Sequence, residues 1–275
     1  MSVAATGLLL YTDMWQRRRT MTDSTVNRIC VGIDCTSGRQ AFTYAVLDQD
    51  LRVVNISEAA LDDLVGFLAN QDSLHVAVNS PSHVNAGVIR KRLESQKGTS
   101  QTIRGAEIRE AEHDLHLRGI PVSGTPRTEA LCLGWVQLGF ELYRRLVPLA
   151  FKPFPAQDTQ RQWLETHPHA GFCALLGRPP LPKPTLEGRL QRALVLFERG
   201  IRIHDPMTFL EEITRHRLLH GLLPMEQVLM QEQLDALLAA YTGWLAALRP
   251  AEVTQLGNKE EGFITLPVSQ LHDRY

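Results

Sequence analysis

The feature that most constrains the fold of this chain is the short hydrophobic run 28–34, which ends in a carboxylate, Asp34. Residues 40–48 are also mostly apolar and are predicted to form a second strand that returns beside the first. A strand holds a side chain rigidly, and the space beyond its end can receive a ligand. Asp34 is therefore predicted to belong to a functional site.

The segments that follow predict an α/β fold. Residues 52–56 form a third apolar run, residues 60–68 show helical spacing, and residues 74–79 form a fourth strand. Pro81 limits that strand because proline cannot donate to a sheet ladder. A helix between two strands implies a crossover to a parallel strand. Two antiparallel strands that feed such a unit predict a mixed sheet flanked by helices.

The C-terminal half is predicted to be mainly helical. Helical spacing of apolar residues covers 128–147, 185–199 and 226–248. Between the first two helices, residues 163–166 are predicted to form a short strand that Pro168 follows.

Length and composition favour a single domain. The 275 residues, 44% of them hydrophobic, can bury one large core. We predict a domain over 26–275 with a basic insertion at about 82–128, after strand four.

Residues 1–25 are expected to be a disordered tail, with an apolar stretch too short to cross a membrane. The four scattered cysteines indicate reduced thiols and a cytoplasmic protein.

Four polar residues occupy positions that suggest chemistry. Asp34, Asn79 and Glu165 lie at predicted strand ends, and Asp235 interrupts an apolar helix. Carboxylates that lie close together repel one another unless a divalent cation neutralises their charge. Oxygen ligands suit Mg²⁺ or Mn²⁺. Such a site serves hydrolysis or transfer at a phosphodiester. The net charge of −1 provides no global attraction to nucleic acid or to a membrane.

Several blocks resemble the DUF429 family of predicted ribonuclease H-like nucleases. They are residues 31–34, 76–81, 165–168, 235–240 and 261–267, in this order, together with a basic motif that contains Arg109, Asp114, Leu115, Arg118 and Gly119. The resemblance implies a ribonuclease H-like fold, and nucleic acid as the partner. It also implies Asp34, Glu165 and Asp235 as catalytic, metal-binding carboxylates, and Asn79, Arg109 and Arg118 as substrate-binding residues.

The chain departs from the family pattern at Asn79, where aspartate is usual. An amide oxygen is a weaker ligand than a carboxylate for a hard cation. Three alternatives stay open: a single metal ion, an Asn79 that positions water, or a site that has lost catalysis.

Each candidate also has a structural interpretation. Asp34 could cap a turn at residues 36–38, Glu165 could pair with Arg161 or Arg189, and Asp235 could accept hydrogen bonds inside the core. Arg109 and Arg118 could lie on solvated helix faces. His167 and His169 are expected to be structural, because two histidines without a third nearby ligand make a weak zinc motif.

Two further functions are compatible with these motifs. The first is a non-catalytic module that binds nucleic acid or another ligand, with Asn79 as the sign of a decayed site. The second is a nucleotide-dependent phosphotransferase, because residues 32–38 also look like the first phosphate loop of sugar kinases and actin-like ATPases. Metal binding would distinguish the expected metal-dependent nuclease from the module, and ATP binding would identify the phosphotransferase.

Overall fold

The computed structural model of the protein describes residues 28–35, 42–97 and 107–275. The predicted N-terminal tail and the turn at 36–38 lie outside the described residues.

Strands and helices alternate in the first part of the chain. The elements are β1 (Ile29–Asp34), β2 (Phe42–Leu47), β3 (Val53–Ala59), α1 (Leu61–Ala69), β4 (Leu74–Asn79), α2 (Val88–Lys97) and α3 (Glu110–Leu117). The first five agree with the predicted elements. The last two lie in the predicted basic insertion, for which no bounds of helices or strands were predicted from the sequence.

Helices predominate in the second part. Its elements are α4 (Gly134–Leu146), β5 (Lys152–Pro153), β6 (Arg161–Thr166), α5 (Pro168–Leu176), α6 (Leu186–Glu198), α7 (Thr208–Glu212), α8 (Arg215–Leu219), α9 (Gln231–Leu248), β7 (Thr254–Asn258) and β8 (Gly262–Leu266). The predicted helices 128–147 and 226–248 begin too early. In both cases a separate 3₁₀ turn precedes the helix, at Glu129–Leu131 and at Met225–Gln227.

The described strands form one mixed sheet in the order β3-β2-β1-β4-β6-β8-β7, with β5 also paired to β6. Strand β1 is antiparallel to β2 and parallel to β4, and β4 is parallel to β6. This confirms the predicted mixed α/β sheet. Because parallel strands end at the same edge of a sheet, the ends of β1, β4 and β6 lie side by side.

Helices cover both faces of the sheet. On one face, α1 and α4 pack against β1 through Val31 and Ile33. On the other face, α5, α6 and α9 contribute to a second core that includes Cys30. Among the described residues, no helix combines the length and the apolarity needed to cross a bilayer.

Helix α9 packs directly on β1 at Gly32. A Cβ atom on Gly32 would lie 2.0 Å from the carbonyl oxygen of Ala236 and 2.1 Å from the amide nitrogen of Ala240. Only glycine therefore allows the helix backbone to lie against the strand. Asp34 is two residues beyond Gly32, and Asp235 is one residue before Ala236. The contact thus brings the two acidic residues to the same edge of the sheet.

We expect Gly32→Ala to destabilise the protein by at least about 2 kcal/mol, because the added methyl group would collide with helix backbone that cannot move without repacking the core. Urea unfolding measures this change. Gly66→Ala in α1 is the control, because a Cβ there meets nothing within 4 Å and a helical Gly→Ala change stabilises by up to about 1 kcal/mol. A Gly32→Ala protein as stable as the wild type would contradict the close packing.

Candidate functional site

Asp34 and Asn79 meet at the carboxyl ends of β1 and β4. The two residues are register partners in parallel strands, so their side chains leave the same face of the sheet. The Asn79 amide Nδ2 donates to Asp34 Oδ1 at 2.5 Å. Both side chains are buried. The hydrogen bond fixes the orientation of the Asp34 carboxylate.

Asp235 joins this pair from α9. It is 3% exposed, and its carboxylate forms an ion pair with the ammonium group of Lys183. Burial raises the pKa of Asp235 from 3.8 to about 6; the Lys183 cation lowers this pKa, and the charge of Asp34 raises it. Asp34 and Asp235 therefore belong to one electrostatic site.

Lys183 was not predicted as a site residue. It lies between Pro182 and Pro184 in the link between α5 and α6, and its side chain is 36% exposed. The flanking prolines restrict the backbone of the link, which limits the directions that the lysine side chain can take. A lysine between two prolines is a signal that sequence analysis could have used.

Glu165 lies on the opposite face of the sheet. Its register partner in β4 is Val78, one residue before Asn79, and side chains alternate along a strand. Both Glu165 oxygens are occupied: Arg109 donates to Oε1 at 2.5 Å and to Oε2 at 3.0 Å, and Ser82 donates to Oε2 through its amide and its hydroxyl group. The structure therefore does not bring Glu165 together with Asp34 and Asp235. The arginine that pairs with it is Arg109 rather than Arg161 or Arg189.

Arg109 is buried at the centre of a polar network. Its Nε donates to Glu112 Oε1 at 2.8 Å, and its Nη1 also donates to the carbonyl of Glu261 at 2.9 Å. The Glu261 carboxylate in turn accepts from the backbone amides of Ala86, Val88 and Glu110. With 1% of its side chain exposed and each guanidinium nitrogen donating to a protein oxygen, Arg109 ties the insertion to β6 and to the β7–β8 turn.

Arg118 lies at the C-terminal end of α3, apart from this network. Its Nη1 donates to the carbonyl of Asp114, and its own carbonyl accepts from the amide of Tyr275. The side chain is half-buried. None of these contacts joins Arg118 to Asp34, Asn79 or Asp235.

His167 directly follows β6 and begins α5. Its Nδ1 accepts from the amide of Ala170 at 3.2 Å, which leaves the ring proton on Nε2. Burial lowers the pKa of His167 to about 4, so the ring is neutral at pH 7. Together with Asn79 and Glu165 it lines a cavity of about 60 Å³. His167 thus provides a neutral N–H donor near Asn79.

No group of three or more His, Cys, Asp and Glu side chains in the described parts of the chain is arranged to hold a metal ion. What the fold does bring together is two carboxylates, one amide and one lysine. The charge of the buried Arg192 side chain also lowers the pKa of Asp235.

We expect Asp235→Asn to stabilise the protein at pH 7 by about 3 kcal/mol. The pKa of Asp235 is higher in the folded chain than in the unfolded one, so the folded chain binds more protons between pH 4 and 6 and loses stability as the pH rises through that window. The gain from Asp235→Asn should therefore grow from pH 4 to pH 6 and stay constant above it. Urea unfolding across this range measures it, with Asp63→Asn in α1 as the exposed control. A gain that does not change with pH would contradict the raised pKa.

We expect Arg109→Met to cost about 3 to 5 kcal/mol, because it leaves the buried carboxylates of Glu165 and Glu112 without a counter-charge. The matched control is Arg90→Met, whose ion pairs are exposed and contribute little, within about 0.5 kcal/mol. Urea unfolding compares the two variants. Equal stabilities would mean that the Arg109 network does not hold the fold together.

Comparison with known proteins places the chain in a family. No curated protein and no solved structure matches it. The model of a family described as "Protein of unknown function (DUF429)" matches residues 32–261. This range begins at Gly32 in β1, ends at Glu261 in the β7–β8 turn and includes the six predicted site residues. The resemblance seen in the sequence is thereby confirmed, and the chain belongs to the DUF429 family.

Proposed function

We propose that the protein is a metal-dependent nuclease that hydrolyses phosphodiester bonds in DNA or RNA. The observation that carries the proposal is the burial of Asp34 and Asp235, which are 201 positions apart in the chain, in one electrostatic site at the carboxyl end of parallel strands. A buried carboxylate whose pKa is raised by burial and by a second carboxylate is typical of functional sites.

The proposal includes a ribonuclease H-like architecture. Three antiparallel strands, β1 to β3, continue through a helix to β4 and β6, which are parallel to β1. A late helix, α9, crosses β1 and supplies an acidic residue, Asp235, near the end of that strand. This arrangement supports the fold that the family resemblance implies.

The donor atoms at the site fit one Mg²⁺ or Mn²⁺ ion. Asp34 and Asp235 would hold it through carboxylate oxygens, and Asn79 would add its amide oxygen once the amide is reoriented. Mg²⁺ needs few protein ligands because it keeps several waters. Lys183 would have to leave Asp235, and its partial exposure allows that movement. When bound, the ion would supply an activated water and stabilise the charge on phosphate oxygens.

The surrounding residues of the chain would prepare the site. Asn79 orients Asp34 through its hydrogen bond, and Lys183 neutralises Asp235 until substrate arrives. Once released, the lysine can pair with a phosphate. His167 offers its Nε2 hydrogen to an anionic oxygen without carrying a charge. The start of α5 at the same edge of the sheet adds the positive end of a helix dipole.

Glu165 and Arg109 have positioning roles in this proposal. Because Glu165 accepts from both the amide and the hydroxyl group of Ser82, it fixes the loop that leaves β4 directly after Asn79. Arg109 holds Glu165 in turn. We therefore propose that neither residue touches the metal ion or the phosphate. Arg118 takes no part in the catalytic site.

A second candidate function is a non-catalytic binding module. The ion pair between Lys183 and Asp235 favours it, because the lysine already occupies the position of a cation. Asn79, which lacks the charge of the usual aspartate, favours it as well. Metal binding separates the two candidates.

We expect the wild type to bind Mn²⁺. The affinity of Asp34→Asn for Mn²⁺ should be lower by at least about tenfold, because the substitution removes one of two anionic ligands. Calorimetric titration at pH 7.5 measures this, and nuclease assays on single-stranded and duplex DNA and RNA follow with the same proteins. Asp63→Asn is the control. Binding should also weaken below pH 6, where Asp235 takes up a proton. Absence of binding at millimolar Mn²⁺, together with absence of cleavage, would favour the binding module.

We expect Asn79→Asp to bind Mn²⁺ about tenfold more tightly than the wild type, because a third carboxylate joins the site. The variant should also lower stability without metal, since three carboxylates repel one another. Calorimetry and urea unfolding with and without Mn²⁺ measure both effects. An affinity equal to that of the wild type would show that residue 79 does not face the ion.

A further inference from the structure

A second and larger cavity opens beside β6, at the gap between β5 and β8. Strand β5 pairs with Gln162 and Trp163 of β6, whereas β8 pairs with Glu165 and Thr166. Leu164 lies between the two pairings. The cavity at this gap has a volume of about 330 Å³, within the range of small-molecule sites.

Flat apolar side chains form most of its walls. The lining includes three aromatic side chains, Phe154, Trp163 and Phe263, and the prolines Pro153 and Pro155 that flank Phe154. The three aromatic side chains are each half-buried. A pocket lined by aromatic rings and prolines suits a planar ring, because such a ring stacks on either kind of surface.

The rim of the cavity carries polar groups. The hydroxyl group of Ser82 donates its only hydrogen to Glu165 and also lies 2.9 Å from His83 Nδ1. His83 Nδ1 must therefore be the donor in the second contact, which leaves Nε2 as an acceptor. Lys259 also lines the cavity and is exposed. The rim thus combines a hydrogen-bond acceptor with a cation.

Gly262 holds this rim in place. Its φ is +85°, and a Cβ there would lie 2.5 Å from Ser82 Oγ and 3.0 Å from His83 Nδ1. The β7–β8 turn therefore packs closely against the loop after β4. The same loop begins at Asn79, three residues before Ser82, so the two Cα atoms lie within about 11 Å of each other.

From these contacts we propose that the cavity binds a nucleobase. The rings would stack on the base, His83 Nε2 would accept from an amino or imino group, and Lys259 would pair with a phosphate. This inference rests on the proposed function: the base would belong to the strand whose phosphodiester reaches Asp34 and Asp235. A base that stacks on the side chains of this cavity must be unpaired, so the substrate class is single-stranded nucleic acid.

The test is equilibrium binding of a single-stranded hexanucleotide to the full chain in EDTA, where no metal-dependent cleavage occurs. The comparison ligands are the same strand with abasic positions, and adenosine and uridine monophosphates. The variants are Phe263→Leu, which keeps an apolar side chain but removes the ring, and Phe263→Tyr, which keeps the ring. We expect Phe263→Leu to weaken binding of the hexanucleotide about tenfold, and Phe263→Tyr to bind like the wild type.

Tight binding of the abasic strand would contradict the proposal that the cavity binds a base. Equal affinities of Phe263→Leu and the wild type for the hexanucleotide would contradict it as well. Binding of the monophosphates but not of the strand would leave a nucleotide pocket and would contradict the single-stranded substrate. The two failures are distinguishable, because hexanucleotide binding in EDTA does not depend on cleavage, whereas the nuclease is tested by Mn²⁺ titration and cleavage, which do not depend on Phe263.

Discussion

The backbone contact between α9 and β1 at Gly32 is the constraint on which the candidate site depends. It sets how closely the helix approaches the sheet, and it therefore sets the position of Asp235 relative to Asp34. The helix is buried along most of its length, and burial of apolar surface contributes roughly 25 cal/mol per Å². This large favourable term offsets the cost of burying two carboxylates close together. The acidic pair is stable because it lies next to an extensive core.

The Arg109 network imposes a second constraint, on the other side of the sheet. Arg109 holds Glu165 away from the acidic site, and the Glu165 carboxylate in turn fixes Ser82. Buried ion pairs are weak evidence for net stability, but the loss of one partner is costly. One network therefore has two consequences. It keeps the insertion attached to the sheet, and it shapes the rim of the cavity that we assign to a nucleobase.

Much of this arrangement follows from local sequence. Periodicity located β1 to β4, and strand ends identified Asp34 and Asn79. Asp235 was found because an acidic residue is rare in an apolar helix. The role of Glu165 could not be predicted in the same way, since a shift of one residue in the β4–β6 register decides which face it occupies. The burial of Arg109 depends on Glu165 and Glu261, which are distant in sequence. No periodic pattern reports such contacts.

The most direct test of the central claim is a crystal structure with bound Mn²⁺, in which anomalous scattering locates the ion. We predict one peak between the carboxylates of Asp34 and Asp235, with the Lys183 side chain turned away and Glu165 still bound to Arg109. An intact ion pair between Lys183 and Asp235, with no anomalous peak at the acidic pair in saturating Mn²⁺, would contradict the claim.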